Sequence, residues 1–402
     1  MAEPARLPAD VEAQPTVQAA AALKSVIRGL RDELEREQRL PKRLVEQCHA
    51  AGFYRLVRPR ALGGLQLDPL TYLRTVELLA EASGSVGWNL CNNNIAQLVT
   101  LGLPSEGIQE IFGPGEVAIA GTAVQGGGRA VPVDGGYRVT GRWPFGTGCQ
   151  ESAWMLGSFQ ILDGDQPRHS PDGASVYWRG LFHRSEAQLV PGSWDVAGLR
   201  ATGSFDWTVD DVFLPERRTM VHAGVPLDNQ WSHWGGVSFA LPAQAWVGPH
   251  HSAVITGIAR AGIDAFIELA AEKTPRGRSS RLCENPQVQD AVGRADTILN
   301  AGRAYRTATV TELWNTIAAG EETTLEQRAR CRLAAAYAAD SAREAMDLVF
   351  RQGGSTSYRR DSRLAECWRD LHVVGQAVTI MPEWYPMGGR AFMDMDPGPR
   401  LR

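Results

Sequence analysis

Apolar residues recur at helical spacing through the first quarter of the chain. Residues 17–52, VQAAAALKSVIRGLRDELEREQRLPKRLVEQCHAAG, are rich in helix formers, and Pro41 is a natural point for a helix to restart. Residues 71–102, TYLRTVELLAEASGSVGWNLCNNNIAQLVTLG, predict two more helices that are separated near Gly84. We therefore expect an N-terminal all-α domain over residues 17–115.

The pattern changes to alternation in the middle of the chain. Residues 129–143, RAVPVDGGYRVTGRW, form two short alternating runs around Asp134, Gly135 and Gly136, which predicts a β-hairpin. Residues 175–183 and 204–215 are rich in aromatic and β-branched residues and predict further strands. These runs place a β domain over residues 116–225.

Helical spacing returns in the last part of the chain. Val254, Ile258, Ala261 and Leu269 repeat at this spacing, and the alanine-rich residues 329–350 end before two glycines, Gly353 and Gly354. A last helix is predicted over LAECWRDLHVVGQ, residues 364–376. Long helices in succession imply a bundle, which we place at residues 235–397.

Composition narrows the classes of function. The chain of 402 residues has a net charge of −4, no block of basic residues and no zinc-ligand spacing, so neither nucleic acid nor a metal is expected. The six cysteines lack CxxC pairs, which favours reduced thiols and a cytoplasmic protein. We find no signal sequence, no membrane span and no strand–GxGxxG–helix unit of a dinucleotide-binding fold.

His372 lies in the middle of the last predicted helix. It is beside an apolar stripe of Leu364, Cys367, Leu371, Val374 and Val378. Trp368 precedes it by one turn and Gln376 follows it by one turn, which places the ring against a partly buried aromatic surface. From these residues alone, His372 is either a core histidine with a satisfied hydrogen bond or a catalytic base that accepts a proton at neutral pH.

Four stretches in order resemble the acyl-CoA dehydrogenase superfamily over residues 20–397. They are ALGGLQLDPLTYLRTVELLAEASGSVGW at 61–88, GYRVTGRWPFGTGCQESAW at 136–154, GSWDVAGLRATGSFDWTVDDVFLPERR at 192–218 and YRRDSRLAECWRDLHVVGQ at 358–376. The last, with its Arg-Asp-x-His, is similar to the branch of two-component flavin-dependent monooxygenases, the group D hydroxylases.

The resemblance implies an α+β fold with an N-terminal helical domain, a central β-barrel or sandwich and a C-terminal helical bundle. It implies an enzyme that uses reduced FMN or FAD and O2, through a C4a-hydroperoxyflavin, to hydroxylate an aromatic or other small substrate. A separate NAD(P)H:flavin reductase would supply the reduced flavin, and the oxygenase would be a homotetramer.

The resemblance also implies flavin contacts within the two β-domain stretches. Phe145 would lie against the flavin ring, and Thr147 would present its hydroxyl or amide to flavin N5. Trp143 and Gly148 would shape the same wall. Without the resemblance, the residues favour a strand with buried aromatics and a threonine at its edge. The small turn Thr202, Gly203 and Ser204 could approach flavin or substrate closely, or it is an ordinary turn between strands.

Phosphate binding is expected in the C-terminal region. Arg281 matches a position where relatives place an arginine on the flavin phosphate, and a guanidinium suits that contact. The stretch QGGSTS, residues 352–357, is a second candidate.

The resemblance implies substrate contacts from the N-terminal and C-terminal helical regions. His372 would deprotonate or orient the substrate, with Trp368 and Trp88 nearby. Many relatives have a second histidine after the Gly-Trp pair, where this chain has Asn92, Asn93 and Asn94. These asparagines either contact the substrate or mark the end or a kink of a helix.

Two alternatives remain open at this stage. An acyl-CoA dehydrogenase needs a carboxylate base, and Glu383 is the nearby candidate, although TIMPEWYPMGG lacks the Tyr-Glu-Gly-Thr type of motif. The other alternative is a non-catalytic homologue that binds flavin or another ligand.

Overall fold

Six helices form the N-terminal part of the described chain. The computed structural model describes residues 6–113, 115, 117–121, 127–169, 176–222, 232–398 and 400–401. The helices are α1 (Pro15–Gly29), α2 (Arg31–Glu37), α3 (Lys42–Ala50), α4 (Pro69–Ala82), α5 (Gly84–Thr100) and α6 (Ser105–Phe112).

Local sequence signals set the ends of these helices. Pro41 is the N-cap of α3, as the restart at this proline predicted. Asp68 caps α4, because its carboxylate accepts hydrogen bonds from the backbone N–H groups of Leu70 and Thr71. Extended backbone at Ser83 separates α4 from α5, which confirms the break predicted near Gly84.

The described strands of the middle region form one mixed sheet. They are β1 (Ile119–Gly121), β2 (Gly128–Val133), β3 (Gly136–Trp143), β4 (Trp154–Asp163), β5 (Gln166–Pro167), β6 (Tyr177–His183), β7 (Gln188–Leu189), β8 (Trp207–Pro215) and β9 (Thr219–His222). The order is β7-β8-β3-β2-β4-β6-β9, and β1 and β5 also pair with β4. The predicted hairpin is β2–β3, with Gly135 at a φ of 74° in its turn.

The sheet has a tryptophan core of its own. Trp143 on β3 stacks on Trp207 of β8 with ring centroids 4.2 Å apart, and both rings are fully buried. The indole Nε1 of Trp143 donates a hydrogen bond to the carbonyl of Ser158 at 2.7 Å. This packing fixes the register of the strand that leads into the GRWPFGTG stretch.

Helices return after the sheet and form the C-terminal bundle. They are α7 (Val237–Ala240), α8 (Ala243–Glu272), α9 (Pro286–Ala318), α10 (Leu325–Gln352), α11 (Arg363–Val374) and α12 (Trp384–Phe392). Thr324 and Gln327 form a capping box at the start of α10, and the helix stops at Gly353 as predicted. Ser362 caps α11, because its hydroxyl accepts a hydrogen bond from the Ala365 N–H.

One apolar core joins the N-terminal helices to the C-terminal bundle, and the sheet contributes a second core. α4 and α5 lie against α8, and α5 also contacts β1 of the sheet and α11 of the bundle. No helix in the described ranges combines the length and apolarity needed to cross a membrane.

Candidate active site at the junction of the sheet and the helices

Two motifs that are distant in sequence meet in a cluster of hydroxyl groups. The Ser204 hydroxyl lies 2.9 Å from the Thr147 hydroxyl and 2.8 Å from the Thr202 hydroxyl. Thr202 also donates to the carbonyl of Leu199 at 2.9 Å. We name Thr147, Thr202 and Ser204 the hydroxyl cluster. The structure thus brings together three of the residues for which flavin contacts were predicted.

The turn that contains Thr147 presents an aromatic ring to solvent. Phe145 has a φ of 61°, unusual for a residue other than glycine, and its side chain is 57% exposed. Its ring meets Trp194 edge-on, with centroids 6.3 Å apart. Strained backbone of this kind is often found at ligand-binding sites.

The backbone amides of this turn are already paired. The Thr147 N–H donates to the Phe145 carbonyl at 2.8 Å, and the Gly148 N–H donates to the Thr202 carbonyl at 3.1 Å. Of the two Thr147 groups that were expected to face flavin N5, the hydroxyl is therefore the one that stays available.

Two of the residues for which flavin contacts were predicted, Trp143 and Gly203, face protein instead. Trp143 is wholly buried in the core of the sheet, so it has no surface to offer a flavin ring. Gly203 has a φ of 52°, and a Cβ there would lie 2.9 Å from the carbonyl of Gln38. Gly203 therefore packs closely against the linker between α2 and α3. Trp143 and Gly203 therefore support the turn that contains Thr147 from its protein side.

The asparagine run lies inside α5 and not at its end. Asn94 accepts from the Val57 N–H and donates to the carbonyls of Phe53 and Leu90, which uses its side chain fully. Asn93 accepts from the Ile119 N–H at 2.7 Å and so holds β1 against the helix. Asn94 thus has structural partners for its whole amide, whereas among the described residues the buried Nδ2 of Asn93 has no partner. Asn92 is half-buried and donates to the Trp88 carbonyl.

Asn89, which the sequence did not single out, lies under the turn. It is fully buried, and among the described residues neither polar atom of its side chain has a hydrogen-bond partner. Gly148 has a φ of 71°, and a Cβ there would lie 2.9 Å from the Asn89 amide oxygen. A buried amide without a partner is costly, and a ligand or water usually satisfies it. The absence of a side chain at Gly148 makes room for this amide.

A histidine faces Trp88 from the C-terminal bundle. His251 on α8 stacks on Trp88 with ring centroids 4.7 Å apart, and its Nδ1 lies 2.6 Å from the Thr379 hydroxyl. Burial and the charge of Arg332 lower the pKa of His251 to about 3, so the ring is neutral at physiological pH. Within the described chain its Nε2 has no hydrogen-bond partner.

His372 lies elsewhere on the bundle. Its Nε2 is 3.2 Å from a carboxylate oxygen of Asp347, which also accepts from the indole Nε1 of Trp368 at 2.9 Å. Trp368 stacks on Phe350 of α10. A carboxylate only accepts, so Nε2 of His372 carries the hydrogen and is already paired. His372 and Trp368 thus form a cluster between α10 and α11.

Asp370 faces the opposite way on the same helix, because two residues correspond to roughly 200° around a helix. Its Oδ1 accepts from the Leu199 N–H at 2.7 Å, next to the hydroxyl cluster. Burial and the carboxylates of Glu366 and Glu35 raise the pKa of Asp370 to about 7. The aspartate of the Arg-Asp-x-His stretch, and not its histidine, therefore reaches the junction with the sheet.

The two candidate phosphate stretches lie close together. Lys273, at the end of α8, donates to the Gly353 carbonyl at 2.7 Å and to the Thr356 hydroxyl at 2.9 Å. The Lys273 carbonyl accepts from the Leu282 N–H, directly after Arg281. Arg281 is exposed, with a long contact of 3.4 Å from Nη1 to the Ala271 carbonyl. Basic and small residues from separate stretches thus form one surface.

The dehydrogenase base is not supported by its placement. Glu383 is exposed at the start of α12. Within the described ranges, no group of three or more His, Cys, Asp or Glu side chains could hold a metal ion.

The residues present fit a flavin. An exposed ring and an available hydroxyl lie on one turn, and an unpartnered amide of α5 lies beneath that turn. Asn89, His251 and Asp370 were missed because their contacts join segments far apart in sequence. The only local signals were the adjacent His250 and His251 in a hydrophobic helix and the Arg-Asp pair in α11.

Comparison with known proteins gives the same assignment. The models of the acyl-CoA dehydrogenase N-terminal and C-terminal domains match residues 13–108 and 250–381. Indole-3-acetate monooxygenase of Pseudomonas putida is 28% identical over 384 residues, which cover 94% of this chain and 95% of that protein.

Two solved structures agree over nearly the whole chain. The HsaA monooxygenase from M. tuberculosis has a TM-score of 0.85 and 25% identity, and the match covers 97% of this chain and 99% of that one. XiaF from Streptomyces sp., in complex with FADH2 and glycerol, has a TM-score of 0.86 and 22% identity, with coverage of 95% and 96%. They confirm the predicted fold class. The chain belongs to the acyl-CoA dehydrogenase superfamily and, within it, to the flavin-dependent monooxygenases that act as oxygenase components of two-component systems.

Proposed function

We propose that this chain binds reduced FMN or FAD at the hydroxyl cluster and uses O2 to hydroxylate a small aromatic substrate, with electrons supplied by a separate NAD(P)H:flavin reductase. The observation that supports this most strongly is the turn from Phe145 to Gly148. There an exposed ring stands beside a hydroxyl that belongs to a buried hydrogen-bonded cluster. When bound, the reduced flavin supplies the electrons that activate O2.

The chain would hold the cofactor from three directions. Phe145 covers the ring, the Thr147 hydroxyl meets N5, and the Asn89 amide gains the partner that it lacks. Arg281, with the surface formed by Lys273 and residues 352–357, binds phosphate. In this proposal the phosphate surface belongs to the neighbouring subunit of a homotetramer.

The substrate would lie on the Trp88 side of the ring. Trp88 and His251 provide an aromatic wall, and Asn92 is half-buried one turn further along α5. His251 is neutral, so its free Nε2 can exchange a hydrogen bond with a substrate N–H or O–H and orient it. An aromatic substrate is also supported by the relative that is named for indole-3-acetate.

His372 remains the second candidate for handling the substrate proton. Its pairing with Asp347 and Trp368 on the opposite face of α11 from Asp370 favours His251 for this role. A substrate hydroxyl or amine that is held by His251 would keep its reactive atom toward the ring. The buried His251 and the partly buried Trp88 would limit the access of water to the same surface.

Isotope-labelled dioxygen tests the function directly. The purified chain is loaded with reduced FMN or FAD without oxygen and mixed with labelled O2 and a panel of indoles, phenols and thiophenes. We expect one class of substrate to gain a labelled oxygen atom, detected by mass spectrometry. Rapid flavin oxidation with only hydrogen peroxide as product for every compound, or bleaching of oxidised flavin by acyl-CoA esters, would reject the proposal.

A further inference from the structure

A continuous series of hydrogen bonds runs from α11 to the turn that contains Thr147. Asp370 accepts from the Leu199 N–H at 2.7 Å, and the Leu199 carbonyl accepts from the Thr202 hydroxyl at 2.9 Å. The Thr202 hydroxyl is 2.8 Å from Ser204, which is 2.9 Å from Thr147. We name Asp370, Leu199 and the hydroxyl cluster together the hydroxyl series.

The direction of every hydrogen bond in the series follows from its first member. A carbonyl can only accept, so the single hydroxyl hydrogen of Thr202 points to Leu199. Ser204 must therefore donate to Thr202, which uses the only hydroxyl hydrogen of Ser204. Thr147 must then donate to Ser204. The Thr147 oxygen consequently offers lone pairs, and not a hydrogen, to anything that approaches from the other side.

The backbone at the start of the series is firmly held. Leu199 has a φ of 55°, a conformation that costs about 1 kcal/mol or more for a residue other than glycine. The Arg369 side chain donates to the Ala197 carbonyl at 3.0 Å, and the Leu199 N–H is paired with Asp370. A Cβ on Gly198 would lie 2.6 Å from the Arg369 backbone, so the loop and α11 are in direct contact. These contacts keep the Leu199 carbonyl directed at Thr202.

We infer that the hydroxyl series makes Thr147 a fixed hydrogen-bond acceptor, and that the residues of the series thereby set how strongly the site distinguishes reduced from oxidised flavin. N5 of reduced flavin has a hydrogen to donate, whereas N5 of oxidised flavin has a lone pair and needs a donor. The amides of Thr147 and Gly148 are paired within the protein, so they do not provide that donor. Thr202, Ser204 and Asp370 act as positioning residues through Thr147. The inference rests on the proposed function, in which Thr147 meets N5.

Thr202→Val tests the series while it keeps the shape of the side chain. With Thr202 unable to donate or accept, Ser204 can donate to Thr147, and Thr147 is free to donate to oxidised N5. We expect the ratio of the affinities for reduced and oxidised FMN or FAD to fall about tenfold, the effect of one mispaired hydrogen bond. The two affinities are measured at equilibrium without oxygen, and the midpoint potential of bound flavin should fall toward that of free flavin.

Matched variants distinguish the expected change in the affinity ratio from a general loss of structure. Ser152 is buried on the same turn and donates to the Gly148 carbonyl at 2.8 Å, outside the series, so Ser152→Ala should leave the ratio unchanged. Thr202→Ser keeps the hydroxyl and should restore the native ratio. If Thr202→Val does not fold, Ser204→Ala interrupts the series at its middle and should lower the ratio in the same way.

The outcomes separate the two proposals. A native chain that binds neither state of flavin would reject the proposed function and this inference with it. Binding that depends on Thr147 but has the same ratio in Thr202→Val and Ser204→Ala as in the native chain would overturn the inference alone.

Discussion

At the scale of single residues, backbone strain coincides with the surfaces proposed to bind flavin. Phe145 and Leu199 both have positive φ, and neither is a glycine. Phe145 presents its ring to solvent, and Leu199 starts the hydroxyl series. Strain at such positions persists only because surrounding contacts hold it. A substitution that removes the strain should therefore stabilise the fold and weaken flavin binding.

Phe145→Gly should show this exchange. Glycine adopts a φ of 61° without strain, and the exposed ring contributes little to folding, so the melting temperature should rise by an amount that corresponds to about 1 kcal/mol or less. Flavin affinity should fall because the ring cover is lost. Phe145→Leu keeps the backbone strain and removes the aromatic ring, so it should weaken flavin binding without raising the melting temperature. A rise in both stability and affinity for Phe145→Gly would contradict the assignment.

His251→Asn and His372→Asn should differ in how strongly they lower substrate hydroxylation. We expect His251→Asn to lower substrate hydroxylation about tenfold and to increase hydrogen peroxide release, because a buried hydrogen-bond partner of the substrate is weakened. Flavin affinity should not change. His372→Asn should alter hydroxylation less than about threefold, since His372 pairs with Asp347. The opposite ranking, measured as labelled product per flavin oxidised, would assign the role to His372.

The sequence predicted the site in part. Thr147, Thr202 and Ser204 stand in short motifs, so the resemblance could locate each of them. The contacts of Asp370 with Leu199 and of His251 with Thr379 span 171 and 128 residues, and no local pattern encodes such pairs. The resemblance placed Trp143 at the flavin wall, and the burial of its ring within the sheet could not be read from the motif, because a motif does not show what covers each side of a strand.

At the scale of elements, α11 has two functional faces. Asp370 and the Arg369 backbone contact the loop of Ala197, Gly198 and Leu199, while Trp368 and His372 contact α10. The helix thus joins the bundle to the sheet along one side only.

Gly198→Ala should loosen this contact. An added Cβ would lie 2.6 Å from the backbone of Arg369, so helix and loop must separate, at a cost of about 1 to 3 kcal/mol in the free energy of unfolding. Urea denaturation should report the loss, and hydrogen exchange at the Leu199 amide should become faster. Gly293 is exposed within α9 with open space around its Cβ position, so Gly293→Ala should stabilise the chain slightly. Unchanged exchange at Leu199 in Gly198→Ala would show that the loop is held by other contacts.

Elements were predicted best where several signals agreed. Apolar spacing and breakers together located the long helices and the β2–β3 hairpin. The strands β1, β5 and β7 are two or three residues long, too short to show any alternation.

At the scale of the whole molecule, a buried carboxylate joins the two helical regions. Glu77 on α4 accepts from the Thr256 hydroxyl on α8 at 2.5 Å and from Arg303 on α9 at 2.8 Å. Burial alone would raise the pKa of Glu77, but Arg303, Arg306, Thr256 and Arg74 outweigh it and lower the pKa to about 2.

Glu77→Gln should destabilise the chain by about 3 kcal/mol at neutral pH, because buried cations lose their partner. Above its ordinary pKa of 4.5 the Glu77 carboxylate is ionised in both the folded and the unfolded chain, so its full contribution to the free energy of unfolding is present above pH 4.5. That contribution is lost as the pH falls from 4.5 toward about 2. The gap in stability between the native chain and Glu77→Gln should therefore narrow over this range in urea titrations. Glu46 is exposed, so Glu46→Gln should have little effect at any pH. A constant gap would show that Glu77 stabilises through packing.

The hydroxyl series also has a consequence for how the cofactor leaves. The Thr147 oxygen accepts the hydrogen that N5 carries in reduced flavin. Oxidised flavin has no hydrogen on N5, so this hydrogen bond is lost once the flavin is oxidised. Spent cofactor would then dissociate without any movement of the domains and could diffuse back to the reductase. The two components would share a circulating pool of flavin and would have no need to dock, so turnover would follow the redox state of that pool.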